Sequence, residues 1–224
     1  MDFCFWKKRS KLSDMIGNKL PIDVLKKRTR IAVIDDEESS LPIESLREDG
    51  FAIDYFPCID ATILKRLLAG DFDVIVLDIK GVVSPQIIQQ DGLGMLQYLK
   101  EKNPTQLIVA CSSKKFDPSK HKFFSLANDV LDKPITFVDC KERLEQIITE
   151  NLTISKRWVA LEKYLSGLGW ETKKIDALEK EINRSLQNPN KFSEKVLAHL
   201  DKHAPAYTLI LQAIQQILKF GGQG

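Results

Sequence analysis

The chain has 224 residues, 43% of them apolar and 29% charged, and its 33 basic and 31 acidic side chains leave a net charge of +2. That length carries one or two domains with true cores, and so balanced a charge does not by itself imply a nucleic-acid or membrane partner. Cys4, Cys58, Cys111 and Cys140 show no Cys-x-x-Cys spacing, no apolar run reaches transmembrane length, and the N-terminus lacks signal-peptide order, so a zinc site and a disulfide scaffold are disfavoured and a cytoplasmic protein is expected.

Residues 1–29 form a basic leader, with Phe3, Phe5 and Trp6 ahead of Lys7, Lys8 and Arg9. It reads as a short helix or arm packing its aromatics on a domain or a second subunit, with an anionic-partner or membrane-surface contact as the sharper alternative. Pro21 is expected to break any helix there. Arg30–Ile34 is a first buried strand running into Asp35-Asp36-Glu37, and residues 40–49 suit a helix stopped by Gly50. Residues 51–55 form a second strand. Asp60 caps a helix over residues 61–69 with Ile63, Leu64, Leu67 and Leu68 on one stripe.

Val74-Ile75-Val76-Leu77 is apolar on both faces, as a strand in the middle of a parallel sheet must be, and it ends in Asp78. A loop over residues 79–91 precedes a helix near residues 92–100. Leu107 to Cys111 is a fourth strand ending at Ser112-Ser113. Residues 118–127 suit a helix, Val130-Leu131 a short fifth strand ending at Asp132-Lys133-Pro134, and an amphipathic helix then uses Leu144, Ile147 and Ile148. Alternation of this kind implies a five-stranded parallel sheet with helices on both faces and right-handed crossovers.

One sheet edge therefore collects Asp35, Asp36, Asp78, Ser112 and Lys133. A lone Asp after an apolar strand is ordinarily a solvated strand end; the complementary groups on the other strands give Asp78 more weight. Three carboxylates in reach of one another repel unless a cation joins them, and Mg²⁺ suits all-oxygen ligands while keeping positions open for phosphate. An Asp carboxylate can attack phosphorus, a transfer that needs positioning and charge neutralisation. Lys133 offers positive charge and Ser112 a hydrogen-bond donor.

Five segments carry a resemblance: IAVIDDEE (Ile31 to Glu38), VIVLDIK (Val74 to Lys80), DGLGMLQYLK (Asp91 to Lys100), LIVACSS (Leu107 to Ser113) and NDVLDKP (Asn128 to Pro134). In this order they resemble the receiver domain of two-component response regulators, over residues 30–150. The resemblance implies the flavodoxin-like strand order 2-1-3-4-5. It makes Asp78 the phosphoacceptor, Asp36 a direct Mg²⁺ ligand, Asp35 a second acidic ligand partly through water, and the Lys80 backbone carbonyl a further ligand. Ser112 takes the hydroxyl position, with Cys111 as the competitor, and Lys133 the phosphate-pairing position. A receiver that never carries phosphate remains the alternative.

Three departures from the family pattern stand out. Gly92 lies fourteen residues after Asp78, further than is usual, so the intervening segment packs as a small flap or serves as a docking surface. Val130 stands where the family often has an aromatic switch residue. Lys80 and Lys114 follow Asp78 and Ser112 by two residues, which favours a long-lived phosphoryl state; rapid loss of label from purified phosphoprotein would count against it.

Residues 152–220 read as helices only, a small all-α bundle or dimerising module. Their stripes are Trp158, Leu161, Tyr164 and Leu165; Ile175, Leu178, Ile182 and Leu186; Phe192, Val196, Leu197 and Leu200; and Tyr207, Ile210, Leu211, Ile214, Ile217 and Leu218, with a break at Asn188-Pro189-Asn190. No basic-aromatic face stands out, so a DNA-binding transcriptional output is the less favoured alternative. The run Ala198 to Lys202 faintly resembles a histidine-phosphotransfer motif, but His203 stands where a small Gly is wanted, so His199 reads as a packing or surface residue. The expected whole is a response regulator, not an enzyme except in catalysing its own phosphorylation, served by a histidine kinase or phosphotransfer protein. It signals through self-association or a protein partner of the helical module, with a phosphorylation-independent scaffold as the alternative.

Overall fold

The computed structural model describes residues 11–15, 20–89, 91–113, 124–187, 196–204 and 206–221. The expectations placed on Phe3, Phe5, Trp6, Lys114, residues 118–123, the Asn188-Pro189-Asn190 break and Phe192 lie outside these. The chain divides into two compact units, one of residues 20–151 and one joining residues 1–19 to residues 152–224.

In the first unit, α1 (Ile22–Arg28) leads into β1 (Arg30–Ile34), α2 (Ile43–Glu48), β2 (Ala52–Phe56), α3 (Ala61–Leu68), β3 (Val74–Asp78), α4 (Asp91–Lys102), β4 (Leu107–Ser113), β5 (Asp129–Lys133) and α5 (Phe137–Asn151). The five strands are all parallel in the order β2-β1-β3-β4-β5. This is the flavodoxin-like arrangement, in which strand order reverses beside β1 and the C-terminal strand ends open a crevice. α2 packs beside α5 and α3 beside α4. β3 is buried at every position, as its unbroken apolar run requires of a central strand covered on both faces.

Local chemistry sets the element ends. Asp60 caps α3 by accepting a hydrogen bond from the Ile63 amide at 2.7 Å. Gly50 closes α2 with a left-handed backbone, φ 95°. The helix expected over residues 40–49 is shorter, because Pro42 lacks an amide donor and holds Leu41 extended; only a 3-10 turn, Glu38–Ser40, precedes it. Pro21 does not end a helix but stands at the start of α1, where a missing amide costs nothing.

α1 is anchored by Lys26, which is 4% exposed. Its ammonium meets Asp49 at 2.6 Å and Glu145 at 2.5 Å and lies 4.9 Å from the Phe51 ring centre. Lys141 shares Asp49 at 2.6 Å. Lys26, one of the basic residues of the leader, thus fastens α1 onto α2 and α5.

The second unit contains α6 (Ile154–Gly167), α7 (Thr172–Gln187) and α8 (Tyr207–Gly221). Trp158, Leu161, Leu165, Ile175, Leu178, Ile182, Ile210, Ile214 and Ile217 form its core, with Val196 and Leu200. Leu12 is fully buried in the same core; its amide donates to Glu179 at 2.7 Å, and Ser155 donates to the Ser13 carbonyl at 2.8 Å. His199 lies in a turn rather than on a helix face. Among the described residues no helix is long and apolar enough to cross a membrane.

Candidate functional site

Register brings the acidic residues together. Ile34 on β1 pairs with Leu77 on β3, so Asp35 and Asp78 leave adjacent strands side by side at the C-terminal edge. Asp35 is 1% exposed and Asp78 8%, while Asp36 faces solvent. One carboxylate oxygen from each of the three lies within 4.8 Å of the others.

Lys133, arriving at the end of β5, puts its ammonium on Asp35 and, at 2.6 Å, on Asp78. The Lys133–Pro134 peptide bond is cis. Burial works against the charge of Lys133, but its hydrogen bonds to Asp35 and Asp78 outweigh that and hold it above its ordinary 10.5. Burial raises the pKa of Asp78, opposed by Lys133 and by the Lys80 amide, which donates to Asp78 Oδ1 at 3.3 Å. The Lys80 side chain itself is exposed.

A lysine whose folded pKa is raised contributes stability that is complete below the unfolded value and is lost as pH rises through the folded one. In chelator, the wild-type urea midpoint should therefore fall on the alkaline side of 10.5. The Lys133→Met protein should show a shallower decline, the remainder belonging to Lys26, whose pKa its bonds to Asp49 and Glu145 also raise.

Asp78 pairs in register with Cys111, and Ser112 follows one residue further along β4. Cys111 is fully buried, and burial pushes its thiol up to about 12, which leaves it inert at neutral pH. Ser112 is buried at the sheet edge. Val130 packs with Ile79, Ala110 and Phe124.

Several supporting residues carried no sequence signal. Ser40 donates to Asp35 Oδ2 at 2.6 Å, the Glu37 amide to Asp35 Oδ1 at 3.0 Å, and Tyr55 to the Asp35 carbonyl at 2.7 Å. Burial raises the Tyr55 pKa, and Glu38, Asp35 and Asp36 add to the shift. Asp36, Glu37, Glu38 and Glu44 also line a groove of about 650 Å³ floored by Leu41, Pro42 and Ile43. The surroundings of Asp36 are thus strongly negative.

The long segment after Asp78 is packed. Val82 and Val83 are buried, Ile87 and Ile88 lie against the same core, and the Ile59 amide donates to the Val82 carbonyl at 2.7 Å. Gly92, in the first turn of α4, lies behind Asp78: a Cβ there would meet the Asp78 carbonyl oxygen and come within 2.6 Å of Ile79 Cα. Because those atoms are backbone, Gly92→Ala should cost about 1–3 kcal/mol, read by urea unfolding.

A crystal structure of NtrX from Brucella abortus in complex with ATP matches at TM-score 0.46 and 21% identity, covering 71% of this chain and 35% of that one. A response regulator from Thermotoga maritima matches at TM-score 0.43 and 18% identity, over 54% of this chain and 97% of that one. The receiver domain of Francisella response regulator 1452 matches at TM-score 0.44 and 19% identity, over 54% and 96%. The chain is similar in fold to response-regulator receiver domains. It spans about a third of the length of the NtrX chain. No protein-family model and no curated protein matches it.

Proposed function

We propose that the protein is a cytoplasmic response regulator of a two-component phosphorelay. Asp78 accepts a phosphoryl group from a histidine kinase or phosphotransfer protein, and the helices of residues 152–220 pass the signal on by self-association or partner contact. The observation that carries this reading is the convergence of Asp35, Asp36 and Asp78 at one sheet edge with Lys133 on two of them.

The donor set fits Mg²⁺. It is all oxygen, partly open to solvent, and its three carboxylates exceed the single charge of Lys133 by the charge of a divalent ion. Asp35, Asp36, Asp78 and the Lys80 backbone carbonyl would hold it. When bound, Mg²⁺ supplies positive charge against the phosphoryl oxygens.

The remaining work falls to the chain. An Asp78 carboxylate oxygen attacks phosphorus in line with the leaving nitrogen of a phosphohistidine; the P–O bond forms as the P–N bond breaks, and the imidazole departs with the electron pair. Lys133 moves its ammonium onto the phosphoryl group, and the Ser112 hydroxyl donates to another phosphoryl oxygen. The product adds a charge of about −2 in place of one carboxylate, which is what biases the neighbouring loops and the helical unit. On this reading the chain catalyses only its own phosphorylation and is an enzyme in that limited sense alone.

The test is Mg²⁺-dependent modification by acetyl phosphate or beryllofluoride, read by intact mass and light scattering. An adduct with a change in solution mass is expected. An adduct without one moves the output to an external partner, and no adduct leaves a phosphorylation-independent scaffold.

A further inference from the structure

Asp91 has no part in the phosphoryl chemistry above, yet it is tied closely to the loop that follows Asp78. Its backbone is left-handed, φ 52°, a conformation Asp adopts more readily than most residues. Asp91 Oδ2 accepts from the Gly81 amide at 2.5 Å, and Oδ1 accepts from the Val83 and Val82 amides at 2.9 and 3.2 Å. Three consecutive amides converge on one carboxylate, and such charge-assisted bonds are about twice as strong as neutral ones.

The loop so held touches the acid cluster at two points. The Lys80 amide, one residue before the tie, donates to Asp78. Gly81 itself lies against Asp36: a Cβ there would fall on the carboxylate, within 2.7 Å of its Cγ, and its φ of 76° further requires glycine. The far side of the loop is fixed by the buried Val82 and Val83. The Gly81 backbone is thus a wall for the exposed Asp36 side chain, and Asp91 holds that wall in place.

We propose that Asp91 is a positioning residue: by gathering the amides of Gly81, Val82 and Val83 it sets the loop against Asp36 and Asp78, and thereby the affinity of the acid cluster for Mg²⁺. The inference rests on the Mg²⁺ reading above. Supporting groups one step from metal ligands commonly govern affinity by about tenfold or more.

The experiment compares full-length wild type with Asp91→Asn and Asp91→Gly. Asn keeps the left-handed preference and one acceptor oxygen but turns an NH2 toward an amide donor. Gly keeps the backbone and removes both acceptors. Mg²⁺ affinity is measured by calorimetry, and amide exchange at residues 81–83 is measured in EDTA, where no metal contributes. Expected are about a tenfold loss of Mg²⁺ affinity for Asn, a larger loss for Gly, faster exchange at those amides, and recovery of the beryllofluoride adduct at saturating Mg²⁺. The proposal is overturned if the amides lose protection in both variants while Mg²⁺ affinity stays within about twofold of wild type, or if the adduct is lost at saturating Mg²⁺ with affinity unchanged. Wild type that binds no Mg²⁺ removes the functional reading as well, whereas equal binding by wild type and variants removes this inference alone.

Discussion

Asp78→Asn should abolish the phosphoryl and beryllofluoride adducts completely while leaving the protein at least as stable as wild type. The first half follows from chemistry, since an amide is not a nucleophile toward phosphorus at neutral pH. The second follows from where the carboxylate sits. Asp78 is 8% exposed, and burial lifts its pKa above the ordinary 3.8. A carboxylate whose folded pKa is raised opposes folding when ionised. The opposition is absent below the unfolded pKa and grows as pH rises through the folded one. Asn has the same shape, keeps an acceptor for the Lys80 amide, and leaves Lys133 its contact with Asp35. The stability gap in favour of Asp78→Asn, read by urea unfolding in EDTA, should be widest near neutrality and close below 3.8. A variant that loses both the adduct and its fold would show that Asp78 is a structural member of the edge, and its missing adduct would then say nothing about phosphoryl transfer.

Whatever depended on contrast within a short stretch was legible in the sequence. Val74 to Leu77 against Asp78, or Ile31 to Ile34 against Asp35, marks a buried strand and its polar end without reference to the rest of the chain, and strand pairing then places the ends side by side. What could not be read depends on partners distant in sequence. Nothing around Lys26 says that Asp49 and Glu145 will enclose it. Nothing around Leu12 says that it belongs to the core of helices beginning at Ile154. Ser40 read as the start of a helix and Asp91 as the end of a loop, and only the folded chain turns one onto Asp35 and the other onto Gly81. Pro42 is a different case: its missing amide was visible in the sequence, and the helix expected over residues 40–49 ignored it.

Lys133→Met should be the most destabilising single change at the edge. Two buried carboxylates, Asp35 and Asp78, share the ammonium of Lys133. Deleting one partner of a buried ion pair leaves the other charge desolvated, at a cost of about 3–5 kcal/mol. Asp35 keeps its bonds from Ser40 and the Glu37 amide, and Asp78 its bond from the Lys80 amide, so the lower end of that range is expected. The variant can shed the penalty by protonating Asp78, whose burial already favours the neutral form. Urea unfolding in chelator should therefore find it far less stable than wild type at about pH 7 and nearer to wild type at about pH 5. Mg²⁺ offers a second way to neutralise the pair, stabilising the folded state in proportion to the logarithm of its concentration once above the dissociation constant. A Lys133→Met protein as stable as wild type at neutral pH in chelator would mean that water reaches both carboxylates. A protein rescued by acid but not by Mg²⁺ would mean that the three acids do not form a divalent-ion site, and the phosphoryl-transfer reading would lose its cation.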